Sequence, residues 1–425
     1  MKFNNTKLTT MNMLCAGVIS CIMLAGTAVY SRGAPEDSTK EAADQNSGPE
    51  EKIAANYLTG DWGGVRQAMA DKGVVFETVY TNESVANVAG GLTQGYAVLG
   101  NLDVTLDADL EKLAGWGGGE IFVYGLGGFG QSPTELVGDL QTSSNIEAGM
   151  NYFKLYEVWF QQNLLDDKIS ILLGLHDLNG EFYVTDPAGL FFNSSFGIGA
   201  DMSQSGENGP SIFPSTALAA RLKIEPVEHF YASAAAYNAV AGDPLKPWAT
   251  AADFTFANGF LIIGEIGFAV ENNMKIAAGG WGYTKPVVTF TDTPATGYGA
   301  YLLFDKTIGE HVSFFIRGGM ANPATYQVAF NVAEGIHLSG ALWGRDDDEL
   351  GIGATTVINS TTFTDLMSTA GAPVDTQETA IELTYRIAAT PWASLQPDLQ
   401  YVVNPGTNPG TADAVVVSLR AELSF

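Results

Sequence analysis

The sequence predicts an all-β fold: a transmembrane, antiparallel, up-and-down β-barrel of about 16 strands, with short periplasmic turns and long extracellular loops. Three observations lead there. Segments alternating apolar and polar residues recur from Val74 to Phe425. The gaps between them alternate between long and short, as a meander with two unlike ends requires. Beyond the N-terminal stretch no apolar run reaches the roughly 20 residues that a membrane-spanning helix needs.

Composition and charge fit the same class. Of 425 residues 16% are charged and 46% hydrophobic, with 49 Gly, 16 Tyr and 23 Phe; a soluble domain usually carries about 25% charged residues. The formal charge is −27. An excess of acid on this scale argues against a basic nucleic-acid-binding face. It fits a solvated surface, divalent-ion contact or a field favouring neutral and cationic solutes.

In chain order, Lys2 and Lys7 precede an apolar stretch, Met11 to Ala28, ending in Gly26-Thr27-Ala28, the pattern of a secretory signal peptide over 1–28 rather than a retained anchor. Its removal takes two Lys and no acid, leaving −29, and takes both cysteines, Cys15 and Cys21. Disulfide scaffolds, thiol catalysis and cysteine-ligated metals are thereby excluded from the mature chain. Residues 29–55 are polar and poor in aromatics, and are expected to be a flexible periplasmic tether. Over 56–73 a short helical segment is expected, capped by Asp61, apolar along Val65, Ala68 and Met69, and ended at Gly73; a linker and a plug fit it equally.

The barrel is expected over 74–425, with strands at 74–83, 100–112, 120–129, 152–163, 168–177, 216–225, 230–239 and 257–270, then 274–284, 297–307, 312–320, 326–343, 350–358, 379–389, 394–403 and 413–425. Long gaps are expected at 84–99, 130–151, 178–215, 240–256, 285–296 and 359–378, and tight turns between them. Faces separate cleanly. Ile381, Leu383, Tyr385 and Ile387 oppose Glu382, Thr384 and Arg386; in the last strand Val415, Val417, Leu419 and Leu423 oppose Ser418, Arg420 and Glu422. A charge near the bilayer centre on the lipid face costs about 2–4 kcal/mol, so separation over many strands matches lipid outside and water inside. A soluble sandwich, the other fold with such strands, does not require alternating loop lengths.

Several stretches carry a family resemblance: YLTGDWGGVR (57–66), LGNLDVTLDADLEKL (99–113), VGDLQTSSNIEA (137–148), KLYEVWFQQNL (154–164), EFYVTDPAGLFFNSSFG (181–197), GRDDDELGIG (344–353) and LQYVVNPGTNPG (399–410). Their order and joint presence resemble the carbohydrate-selective porins of the OprB family. The resemblance implies a sixteen-stranded outer-membrane barrel passing monosaccharides and related small solutes passively, with loops folding inward to narrow the pore. It implies no cofactor, no metal and no enzymatic activity. The implied partners are small carbohydrates, outer-membrane lipid and lipopolysaccharide, and the barrel assembly machinery. The terminal Phe425 resembles the aromatic sorting signal of such barrels and is expected to act as an assembly signal. Neither monomer nor trimer is selected by the pattern.

Sugar selection needs charged or amide partners for hydroxyls and flat apolar surfaces for ring faces. If Tyr156, Val158 and Phe160 face lipid, then Glu157, Trp159 and Gln161 face the lumen; if Leu218, Ala220, Leu222 and Ile224 face lipid, then Arg221 and Lys223 face inward. Asp103 and Asp107, with Asp109, form an acidic ladder expected opposite these cations, and Arg317 is a further expected lining residue. Loop 178–215 is long enough to enter the lumen, and its AGLFFNSSFG stretch fits either a channel wall or loop packing. Other signals carry no chemistry. GLGGFG (125–130) matches a dinucleotide pattern with no helix after it; His176, His229, His311 and His337 lack metal-site spacing; RDDDE (345–349) fits a charged turn better than a calcium site. A general diffusion porin, and a secreted β-rich carbohydrate-binding protein or hydrolase, are the alternative readings.

Overall fold

The computed structural model describes residues 55–288, 290 and 293–425. The expected signal peptide (1–28) and all but the last residue of the expected tether (29–55) lie outside the described residues. From Val74 onwards strand follows strand: β1 (Val74–Gly91), β2 (Gly95–Asp109), β3 (Gly119–Gly130), β4 (Tyr152–Leu164), β5 (Ile169–His176) and β6 (Ala217–Val227). Next come β7 (Phe230–Asn238), β8 (Phe260–Val270), β9 (Met274–Tyr283), and a small ladder of β10 (Val287–Val288) with β11 (Pro294–Ala295). The remainder are β12 (Tyr298–Ile308), β13 (Val312–Ala321), β14 (Val328–Ser339), β15 (Glu349–Asn359), β16 (Gln377–Thr390), β17 (Ala393–Val403) and β18 (Ala412–Ser424). All except β10 and β11 form one closed barrel, every neighbour antiparallel, sealed by β1 against β18 from Val79↔Ser424 to Gly91↔Ala412. Closure removes every open strand edge, which a barrel in lipid requires.

The sixteen expected strands are the sixteen barrel strands, and the tight turns lie where expected. Several use left-handed residues, among them His229 (φ 67°), Asn272 (φ 51°) and Gly309 (φ 63°), the conformation two- and three-residue hairpins demand. Boundaries differ most at two places. The long loop expected at 84–99 is strand instead: β1 and β2 run on in register to Asn87↔Gly95, and only 92–94 turn. Its Gly and Asn residues mislead, because Asn87 lies on the inner face and its amide bonds the carbonyls of Gly90 and Thr93 at 2.9 Å, tying the hairpin itself. The strand expected over 326–343 ends at Ser339 and gives way to a helical turn, Gly340–Trp343.

A bulge changes the phase of β4. Tyr124 of β3 faces Glu157, but the next β3 residue, Gly125, faces Leu155, so Tyr156 is an extra residue. Tyr156, expected to face lipid, is therefore buried inside the barrel, where its hydroxyl donates to Asp177 Oδ2 at 2.6 Å. The outward face remains apolar on both sides of the bulge: Phe153, Leu155, Ile171, Leu173, Leu222 and Ile224 are exposed on the bare protein. Among the described residues no helix is long and apolar enough to cross a membrane.

Two loops fill much of the interior, residues 131–151 between β3 and β4 and 177–216 between β5 and β6. Their backbone bonds inward-pointing side chains from distant strands, which fixes their place inside. Glu378 of β16 accepts Leu140 N at 2.8 Å and Gln141 N at 2.9 Å, and Gln400 of β17 donates to Ser143 O at 2.8 Å. Glycines on the wall make room for the loop aromatics. A Cβ at Gly353 would lie 2.9 Å from both Phe191 and Phe196, and one at Gly319 would lie 2.1 Å from the Tyr183 hydroxyl. The aromatics of AGLFFNSSFG accordingly pack loop to wall: Phe191 and Phe196 stack at 4.4 Å and meet Phe315 of β13 edge-on at 5.8 and 6.0 Å.

Candidate pore-lining site

The inward face alternates as the pleat dictates, and on β3 and β4 it carries Glu120, Phe122 and Tyr124 beside Glu157, Trp159 and Gln161. Phe122 and Trp159 stack with centroids 5.0 Å apart and planes 25° apart, making a flat aromatic surface. Gly174 of β5 lies opposite Trp159, and a Cβ there would come within 2.7 Å of the Trp159 Cβ. The indole NH donates to Glu157 Oε2 at 2.9 Å, while Glu157 Oε1 accepts Asp177 N at 2.7 Å. Glu157 is thus buried and fully engaged. It orients the indole and pins the start of loop 177–216 rather than facing the open lumen.

Arg221 is the centre of the neighbouring polar group. Its Nη2 reaches Gln161 Oε1 at 2.6 Å and Glu181 Oε1 at 2.7 Å, and its Nη1 reaches Ser170 Oγ at 2.7 Å. Gln161 in turn donates to Glu120 Oε2 at 3.1 Å. The guanidinium is only 3% exposed, yet its Nε and the Glu181 Oε2 have no protein partner. Buried polar atoms of that kind are normally satisfied by water or a ligand. An acid, an amide and a charged fork therefore sit beside the aromatic surface, presenting hydrogen-bonding groups next to a ring platform.

The other expected residues are distributed differently. Asp103 accepts Asn101 Nδ2 at 2.5 Å and the Tyr124 hydroxyl at 2.6 Å, at the edge of the same aromatic wall. Asp107 meets Glu120 across β2 and β3. Lys223 faces inward as expected but pairs with Glu225 at 2.6 Å and lies 5.8 Å from the Tyr231 ring, apart from the Arg221 group. Arg317 does not line open space. It is 1% exposed and covered by the inward loop, donating to Tyr183 O at 3.1 Å, Gly197 O at 2.8 Å and Ser195 O. Parity placed it inward correctly, but nothing local in the sequence says that a loop 120 residues away in sequence lies on it. Glu120, Phe122 and Tyr124 were legible by the parity that identified Trp159, since they alternate with Ile121 and Val123. Glu181 sits in a loop with no period to mark it.

The loop seat also contains Asp201, whose carboxyl accepts the Tyr183 hydroxyl at 3.1 Å. Burial pushes it from an ordinary value of 3.8 up to about 7, against the opposing pull of that hydroxyl and of Arg317. The seated loop therefore holds this proton more tightly than a released loop does. Seating is strongest below about pH 4 and weakens as pH climbs towards 7. Open-channel noise from loop movement should rise over that window, and Asp201→Asn should flatten the rise; an unchanged slope in the variant would exclude Asp201 as its source.

Comparison with known proteins places this geometry. A sequence profile described as carbohydrate-selective porin, OprB family, matches residues 93–425. Porin B of Pseudomonas aeruginosa is 23% identical over 429 aligned residues, covering 87% of this chain and 92% of the relative. The high-pH structure of Pseudomonas putida OprB superposes with a TM-score of 0.78 at 18% identity, covering 88% of this chain and 99% of that one. The outer-membrane channel DcaP of Acinetobacter baumannii superposes with a TM-score of 0.54 at 10% identity, covering 83% of this chain and 97% of that one. At these identities the superpositions establish the barrel fold.

Proposed function

Because this chain belongs to the carbohydrate-selective porin family of the OprB type and is an outer-membrane carbohydrate channel, we propose that its sugar preference is set on the β3–β6 wall. There Phe122 and Trp159 receive a pyranose face while Glu120, Gln161 and Glu181 exchange hydrogen bonds with ring hydroxyls, and the buried Arg221 fixes Gln161 and Glu181 in place. The observation that carries this is the Phe122–Trp159 stack, partly open and flanked by Glu120 and Gln161, with Gln161 held by the buried Arg221 that also pairs with Glu181. A sugar has both kinds of surface, apolar ring faces and a rim of hydroxyls; a size-matched amino acid lacks the first. Charge-assisted hydrogen bonds are the stronger ones, and aromatic contact adds about 0.5–1.5 kcal/mol, sums small enough for release after entry.

Liposome swelling with glucose, disaccharides and size-matched amino acids tests the reading. Trp159→Ala and Arg221→Ala should each reduce the sugar-to-amino-acid rate ratio severalfold with the barrel still assembled. Equal rates for sugars and amino acids through the unaltered channel would mean general diffusion. An unchanged ratio in both variants would move selectivity away from this wall.

A further inference from the structure

Residues 57–72 contact the barrel where its first and last strands meet. Leu58 N donates to Ser424 O at 2.8 Å, extending the backbone ladder past the end of β18. Arg66 Nη1 donates to Phe76 O of β1 at 2.8 Å, and its Nη2 donates to Phe425 O at 2.8 Å, across 359 positions of sequence. The buried guanidinium lies 3.7 Å from the Tyr57 ring centroid and 4.2 Å from that of Trp62. Tyr57 donates to Glu77 Oε1 at 3.1 Å, and Trp62 meets Phe76 at 5.8 Å. A six-residue helix, Val65–Ala70, carries Arg66, and its first turn is held by Asp61 Oδ1 accepting Gln67 N at 2.9 Å. At Gly73 (φ 82°) the chain turns into β1 so tightly that a Cβ would lie 2.8 Å from the Lys112 Cβ.

Every other pair of neighbouring barrel strands is joined by the chain that links them in sequence order, whereas β1 and β18 are joined through non-covalent contacts, with no short connection between them. That pair carries the longest loop-closure entropy in the fold. We propose that residues 57–72 form a binding site for the end of β18, a latch that stands in for the missing turn, with Arg66 as its central donor. Arginine suits the position because one planar fork reaches two carbonyls while both its faces stack on rings. The segment earlier weighed as linker or plug is then neither. It acts on closure of the barrel rather than on passage through it.

The test follows heat-modifiable gel mobility of the full mature protein alongside single-channel conductance. Arg66→Gln should lower by several degrees the temperature at which the compact band is lost, with conductance and sugar flux unchanged; Arg66→Lys should fall short of the parent, since an ammonium cannot fork. No cysteine follows Cys21, so Leu58→Cys with Ser424→Cys introduces a lone pair. Under oxidation it should cross-link in the assembled barrel and raise that temperature. Unchanged melting in Arg66→Gln, or failure of the cysteine pair to cross-link, overturns the latch. Altered conductance at unchanged melting would also overturn it, making the segment part of the pore. If Arg66→Gln does not assemble, the cysteine pair in the parent background decides alone.

Discussion

Replacing Arg317 by alanine is expected to release loop 177–216 from the β13 wall, raising single-channel conductance, adding open-state noise and erasing discrimination between sugars and size-matched solutes. The substitution leaves the Tyr183, Ser195 and Gly197 carbonyls without their shared donor. It also removes the cation lying 5.4 Å from the Tyr183 ring, whose face stacks on Tyr301 at 4.0 Å. Hydrogen bonds to a charged group contribute about 1.5–3 kcal/mol each, so loss of all three shifts the ratio of seated to released loop by a hundredfold or more, on the order of one decade per 1.4 kcal/mol. Bilayer recordings read this directly. Conductance and noise equal to the parent's would show that the loop is held by its packing alone.

The second large effect is expected at Glu382, which holds the same loop from β16, three strands along the wall from Arg317. Its carboxyl group accepts Phe192 N at 2.6 Å and Asn193 N at 2.9 Å and is fully buried. Such bonds contribute about 0.5–1.5 kcal/mol each and a buried donor left unpaired costs about 1–3 kcal/mol, so Glu382→Ala should loosen residues 190–193 by a few kcal/mol, and Glu382→Gln, which keeps one acceptor, by roughly half as much. Loss of this site should leave Arg420 bound to Glu83, at 2.7 Å through its Nε, but deprive it of the Phe192 ring 4.0 Å away. Because both side chains restrain one loop, the double variant with Arg317→Ala should fall short of the sum of the singles. Full additivity in thermal melting and in conductance would show two independent anchors.

The strands were legible because each satisfies lipid on one side and a polar interior on the other, and that demand writes period 2 into the sequence. Ile381, Leu383 and Tyr385 against Glu382 and Thr384 could be assigned from parity alone, and the structure puts them so. Parity fails at Tyr156, since a bulge adds a residue without changing residue type, and both phases of β4 look equally amphipathic. It fails differently at Arg317 and Glu157. Their inward direction was readable, but what they touch is decided by where loop 177–216 lies, and loop paths are set by tertiary contacts that no local pattern records. The Arg221 group was half visible for the same reason: Gln161 and Arg221 lie on strands, Glu181 does not. The 84–99 stretch shows the converse error, where turn-forming residues sit inside a strand because their side chains serve the neighbouring hairpin.

The interior is lopsided, and that has a consequence for how such a channel can change over generations. On β13, β15, β16 and β17, side chains such as Arg317, Thr355, Glu378, Glu382 and Gln400 are locked beneath loop backbone. A substitution there disturbs assembly before it touches a solute. On β2 to β4, Asp103, Glu120, Phe122 and Trp159 remain partly open, so under the proposed selectivity exchanges among polar and aromatic types there would alter what passes at little structural expense. On the same proposal, altering what the channel passes and keeping its barrel intact are tasks of opposite walls.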